Sequence, residues 1–144
     1  MSRAPAVPDR VFTARVPLRW ADMDALGHVN NVVFLRLLEE ARVQFFAGLA
    51  PMAEHGYGVL AARHEIDYLQ PLYYSTDPVE VRLWVERIGT ASFTVAYVLV
   101  AGSAGPAPVC AAAKTVAVAI DPASGATRAV PDGLRERLRE YLAA

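Results

Sequence analysis

The chain has 144 residues, with 14 Lys+Arg against 15 Asp+Glu for a net charge of -1, and 54% of its residues are hydrophobic. A chain of that size buries roughly two-thirds of its unfolded surface, enough for one core and too little for two, so extended disorder and a two-domain layout are excluded. The balanced charge leaves no basic footprint for nucleic acid or an anionic membrane surface, and neither is expected as a partner.

Residues 1–9, with Pro5 and Pro8 among several alanines, offer no periodic face and are expected to form a flexible tail before a single domain over 10–144. From Val11 to Trp20 the β-branched and aromatic residues predict a strand, placed at an edge by Pro17. A polar segment, Ala21 to Asn31, follows. Phe34, Leu37, Leu38, Ala41 and Phe45 then recur at spacings of three and four, which predicts a helix with one apolar face. Asn30 or Asn31 can cap its start, Gly48 can end it, and Arg36 and Glu40 stand at i,i+4. Leu49 to His55 can add a short helical turn, with Pro51 in its first turn.

From Tyr57 onward the period falls to two. Val79, Val81, Leu83 and Val85 alternate with Glu80, Arg82, Trp84 and Glu86, the pattern of a strand with one buried face. Gly89-Thr90 reads as a hairpin turn, Ser92 to Val100 and Val109 to Ile120 as two long strands, and Asp121 to Gly125 as the end of the sheet. No charge falls between Arg87 and Lys114, a length that could span a membrane, but Gly102, Ser103, Gly105, Pro106 and Pro108 divide it into two strands joined by a turn. A last amphipathic helix is expected after Pro131, with Leu134, Leu138 and Leu142 along one side. One strand, a long apolar helix, four strands and a short helix exclude an alternating parallel sheet; the class is α+β, an antiparallel sheet curved around the long helix.

Cys110 is the only cysteine, so no intrachain disulfide can form, and in an apolar alternating strand it reads as a core residue. The opening MSRAPAVPDR has prolines where a secretion signal needs an apolar run, and a cytoplasmic location is expected. Glycine-rich phosphate loops, a second histidine after His64-Glu65 and the serine-hydrolase elbow are all missing. What remains is Trp20 to Asn31, where Asp22, Asp24, His28, Asn30 and Asn31 gather before the helix. Free N–H groups at a helix start favour negative charge, so an oxyanion could be stabilised there. The same residues also suit plainer work: Asp22 or Asp24 as turn formers, Asn30 or Asn31 as the cap, His28 as a loop histidine. A metal held by Asp22, Asp24 and His28 is the weaker reading, because no second cluster accompanies them.

The string Asp22-Met23-Asp24-Ala25-Leu26-Gly27-His28-Val29-Asn30-Asn31 and the helix Val32 to Arg42 resemble the hotdog-fold acyl-CoA thioesterases of the 4-hydroxybenzoyl-CoA thioesterase family. Later landmarks are Ile66-Asp67-Tyr68 with Pro71, and Arg87 to Phe93 at a strand turn. The resemblance implies a long helix wrapped by an antiparallel sheet. It also implies hydrolysis of an acyl-CoA substrate, with Asp24 as nucleophile or general base and the Asn31 N–H holding the carbonyl oxygen. No metal or other cofactor is implied. Asp22 would orient the loop, while His28 and Asn30 would contact substrate, place a water or cap the helix. Substrate contact is expected from Gly27 and, for coenzyme A, near Arg87 and Ser92. Of the cations Arg63, Arg82, Arg87, Lys114 and Arg128, none stands at a motif position for the phosphates. The family arrangement further implies a homodimer or a tetramer, with the site between subunits. Two other readings stand beside hydrolysis: a hotdog dehydratase or hydratase, and a non-catalytic acyl-CoA-binding module.

Overall fold

The computed structural model describes residues 3–49, 56–102 and 107–144. In chain order, β1 (Phe12–Val16) and a single 3-10 turn (Trp20–Asp22) precede α1 (Asn31–Leu49). Four strands follow, β2 (Gly58–Tyr68), β3 (Val79–Ile88), β4 (Ser92–Val100) and β5 (Val109–Ile120), and then α2 (Asp132–Arg139). All strand pairs are antiparallel, and the sheet order is β1-β3-β4-β5-β2. The α+β class and the wrapped long helix are those expected.

The helix sits where its periodicity put it. Phe34, Leu37, Leu38, Ala41 and Phe45 are all buried, in one cluster with Val81, Leu83 and Val85 of β3 and with Phe93, Val95, Tyr97 and Leu99 of β4. Each fully buried large side chain of that kind contributes on the order of 2 kcal/mol, which is what holds α1 in the concave face of the sheet. Phe45 also meets the rings of Phe12, Phe46 and Tyr141 at centroid distances of 5.4, 5.6 and 5.2 Å. Cys110 is buried in this core.

Three expectations change. β1 stops at Val16 rather than running to Trp20, because Pro17 supplies no N–H to β3 and the chain then turns through Trp20–Asp22. Trp84, placed by alternation on the wet face of β3, is buried with Ala96, Val98 and Val100 in a second apolar cluster on the outer side of the sheet. β4 is consequently buried on both faces. Leu142 lies beyond α2, which ends at Arg139, and is half exposed while its backbone bridges Val85; Leu134 and Leu138 are buried as expected. The turn expected over residues 50–55 lies outside the described residues.

Residues 3–11 lead into β1 without helix or strand, and Arg3 and Pro5 border a cavity of about 200 Å3 beside Trp84 and Lys114. Within the uncharged run 88–113 lie β4 and the first residues of β5, and the turn expected between them falls partly on residues 103–106, outside the described residues. Among the described residues no helix is long and apolar enough to cross a membrane.

Antiparallel pairing sorts the strand termini into two distinct ends of the sheet. One end carries Val16, Val79, Val100, Val109 and Tyr68; the other carries Ile88, Ser92, Ile120 and Gly58. Strand β2 is paired with β5 on one side and forms an outer edge on the other, and its side chains are mostly exposed.

Candidate active site

The segment between the 3-10 turn and α1 folds as a small closed hairpin. Met23 and Val29 form a bridge, the Asp24 N–H donates to His28 O at 3.1 Å, and the Gly27 N–H donates to Asp24 O at 3.1 Å. Gly27 takes φ +86°, a left-handed conformation that a side chain resists. The hairpin is tied down at both ends: Val29 N–H donates to Leu72 O at 2.7 Å and Asn30 N–H to Asp22 O at 3.0 Å.

The two carboxylates of this hairpin have different surroundings. Asp22 is buried and accepts four hydrogen bonds. Arg19 gives three, from its backbone N–H at 2.7 Å, Nε at 3.1 Å and Nη2 at 3.0 Å, and Arg36 Nη2 on α1 gives the fourth at 2.8 Å. Burial alone would raise the Asp22 pKa; the hydrogen bonds from Arg19 and the charges of Arg36 and Arg19 outweigh it and hold the group below its ordinary value of 3.8. Asp22 is therefore a strut between loop and helix. Asp24, half-buried, accepts one bond at Oδ1 from the Leu26 N–H at 2.9 Å, and its Oδ2 has no protein partner among the described residues.

The cap is decided in favour of Asn30. Its Oδ1 accepts the Val32 N–H at 2.9 Å and its backbone oxygen accepts the Val33 N–H at 2.9 Å, which leaves Asn31 as the first helical residue. Among the described residues the Asn31 N–H has no acceptor. At a helix N-terminus an unclaimed N–H carries partial positive charge and is disposed to bind an anionic or polarised oxygen. Arg36, expected opposite Glu40, does pair with it at 3.5 Å, but its closer partner is Asp22.

His28 and Asn31 line a cavity of about 230 Å3 together with Phe34, Tyr68, Gln70 and Leu72. The His28 ring meets the exposed Tyr73 edge to face at 6.3 Å. Tyr68, named in the sequence only as a landmark, reaches over from the end of β2 and donates its hydroxyl to Asn31 O at 2.9 Å. Gln70 is a further member of this cavity that no motif pointed to, and Phe34 was expected only in the core.

Asp24, Gly27, His28, Asn30 and Asn31 all sit on the hairpin and the start of α1, and of these His28 and Asn31 line the cavity, while Arg87 and Ser92 lie elsewhere. Those two flank the β3–β4 turn, where Gly89 N–H donates to Ser92 O at 2.7 Å. That turn is at the opposite end of β4, a nine-residue strand that spans about 26 Å. Of the five candidate cations, Arg63 pairs with Glu65, Arg82 with Glu80 and Lys114 with Glu86, and Arg128 donates to Gly56 O. Arg87 alone of these is exposed with no ion pair or hydrogen bond from its side chain among the described residues. No group of three or more His, Cys, Asp or Glu side chains is placed to hold a metal among the described residues.

A long helix held in a curved five-stranded antiparallel sheet, with a polar hairpin at the helix start, is the hotdog architecture as thioesterases build it. The chain belongs to the thioesterase-like superfamily, whose profile matches residues 18–138. It is similar to a thioesterase of Thermus thermophilus solved in complex with coenzyme A and Zn. That pair is 32% identical, with 91% of this chain and 92% of the other covered and a TM-score of 0.74. It is also similar to a predicted thioesterase of Bacillus stearothermophilus, at 28% identity, 93% and 98% coverage and a TM-score of 0.80. The uncharacterized protein YsmA of Bacillus subtilis strain 168 is 32% identical over 90 residues, which are 60% of this chain and 58% of YsmA. The match thus spans little more than half the length of that curated relative.

Proposed function

We propose that the chain hydrolyses an acyl-CoA thioester to a free acid and coenzyme A. The observation that carries this reading is that the entrance to α1 carries two groups uncommitted among the described residues, a carboxylate oxygen on Asp24 of the hairpin and the N–H of Asn31, the first helical residue. Thioester hydrolysis calls for that division of labour. A base or nucleophile approaches the carbonyl carbon while a fixed donor takes the charge that develops on its oxygen. Acting as base, Asp24 removes a proton from water as the water oxygen bonds to carbon; acting as nucleophile, it bonds to that carbon itself and water then releases the acid. By the first route the oxyanion collapses, the carbon–sulfur bond breaks and the proton taken up by Asp24 passes to the coenzyme A thiolate. By the second the carbon–sulfur bond breaks as an acyl-Asp24 anhydride forms, the thiolate leaves, and the water that then splits the anhydride restores the carboxylate and supplies the thiolate with its proton. A carboxylate is ionised at neutral pH and needs only placement for this work. His28, on the cavity wall, faces the acyl group or the water. Similarity to a protein crystallised with coenzyme A supports the substrate class.

The reading extends to a homodimer joined through β2. Its outer edge is unpaired by any strand among the described residues, and exposed apolar groups border it: Leu60 and Tyr68 on β2, Val32 and Val43 on α1. An open edge of that length invites a second strand, and a two-fold antiparallel pairing satisfies both copies. Such pairing sets the partner's Gly58 end beside this chain's Tyr68 end. The partner's turn with Arg87 and Ser92 is then carried toward Asp24, which places a free cation where the nucleotide phosphates of coenzyme A need one.

The test follows thiol release with a trapping dye across acetyl, medium-chain, long-chain and benzoyl-type coenzyme A esters, with Asp24→Asn alongside. Release that vanishes in the variant supports the reading and ranks the substrates. Folded dimeric protein that binds the esters and releases no thiol would assign it to the acyl-CoA-binding modules instead.

A further inference from the structure

We propose that Tyr68 is a positioning residue for the reacting carbonyl, acting through the Asn31 backbone; the inference rests on the thioester reading above. Three observations carry it. Tyr68 is the last residue of β2, and its hydroxyl donates to Asn31 O at 2.9 Å. Its ring lies edge to face on Phe34, one turn into α1, at 5.2 Å. It lines the same cavity as His28 and Asn31.

The bond is not needed to complete the helix. Asn31 O is the first carbonyl inside α1 and already has the N–H four residues on as its partner, so Tyr68 occupies its second lone pair. Nor is the hydroxyl forced into it by burial, since Tyr68 is 43% exposed and water could serve it. What the bond does is fix a peptide. On one side Asn30 N–H is held by Asp22 O and Asn30 O by the Val33 N–H. On the other side Asn31 O is held by Tyr68. The unclaimed Asn31 N–H belongs to the Asn30–Asn31 peptide, whose oxygen Val33 holds, and Tyr68 holds the next peptide, Asn31–Val32, so the two ties together fix the backbone dihedrals at Asn31 and with them the direction of its N–H. A donor fixed in advance stabilises a developing oxyanion without reorganising, and an error of about 0.5 Å in its position is costly. The ring contact with Phe34 sets the height of the hydroxyl over the helix start, so β2 and α1 jointly define where the oxygen must sit.

The test is Tyr68→Phe, which keeps the ring and its contact with Phe34 and deletes the hydroxyl. Thiol release is expected to lose kcat on the order of five- to tenfold, the rate equivalent of one hydrogen bond, with KM changed by less than about twofold. In the same variant the Asn31 amide resonance should shift and exchange faster with solvent, while the urea unfolding curve stays in place. A rise in KM with kcat unchanged would make Tyr68 a substrate contact and overturn the proposal, as would an Asn31 amide unmoved by the substitution. Wild-type protein that releases no thiol, with the amide effect present, would overturn the thioester reading and leave the aiming of Asn31 standing. Tyr68→Leu serves as control: it removes ring and hydroxyl together and should lower kcat further than Tyr68→Phe.

Discussion

Asp22 and Asp24 are the same residue type two positions apart, and the fold treats them as opposites. Asp22 is sealed under the hairpin with four donors on it, and its charge ties Arg19 and Arg36 together. Among the described residues Asp24 makes one bond, within its own turn, and keeps an oxygen free. A carboxylate that is fully satisfied has nothing left for a substrate, and one that is half satisfied is held in place yet still able to react. The difference comes from the partners each can reach: Asp22 ends the 3-10 turn beside Arg19 and under Arg36 of α1, whereas Asp24, two residues on, accepts the Leu26 N–H inside the turn it opens.

The comparison breaks first at Asp24→Asn. Asparagine keeps an oxygen for the Leu26 N–H, so the turn should survive and unfolding in urea should match the wild type. Thiol release should fall by about 10² or more, the usual scale for a catalytic acid–base group. Asp22→Asn should show the reverse balance, costing roughly 2 kcal/mol of stability, since both arginines lose a charged acceptor but keep some access to water. The pH dependence checks the same assignment. The Asp22 pKa is lowered in the folded state, so its contribution is fully present above about 3.8 and is lost as pH falls through the folded value. The stability gap between wild type and Asp22→Asn should therefore be constant at neutral pH and shrink in acid, below about pH 4. A gap that widened on acidification would contradict the strut role.

Much of this was legible in the sequence, and where it was not the reason is distance along the chain. The apolar face of α1 could be read because five residues of one 3.6-residue period answer to one core. Alternation placed the inner side chains of β3 for the same reason, but it misplaced Trp84, because a local pattern carries no information about a second apolar layer built from β4. Arg42, within the apolar helix, is buried against Tyr97 and Thr115, 55 and 73 residues away, and nothing near it announces that. The polar hairpin was recognisable as a whole, while its internal roles turned on partners outside it. Arg36 lies 14 residues past Asp22, and Tyr68 lies 37 past Asn31. Asn30 and Asn31 were equal candidates for the cap until the hairpin closed and fixed the register.

That cap supplies a smaller test of the same segment. Asn30→Ala removes the acceptor for the Val32 N–H and should cost about 1 kcal/mol by urea unfolding. The Asn31 N–H is not its partner, so the loss of activity should be far smaller than that of Asp24→Asn. A loss as large would mean that Asn30 itself takes part in the reaction.

The smallest effect is expected at the far end of the sheet, where committed and uncommitted groups can again be set against each other. Arg82 is paired with Glu80, and Arg87 with no group among the described residues. Neither is close to Asp24 in one copy, so a monomeric site predicts that alanine at either position leaves KM for coenzyme A esters alone. If two copies join through β2, Arg87 of one reaches the phosphates bound at the hairpin of the other. Arg87→Ala should then raise KM several-fold with kcat and stability unchanged, and the increase should fade as salt screens the exposed contact. Arg82→Ala should do neither. Equal effects from the two substitutions would detach the β3–β4 turn from the substrate and leave the division between committed and free charge as a property of the hairpin alone.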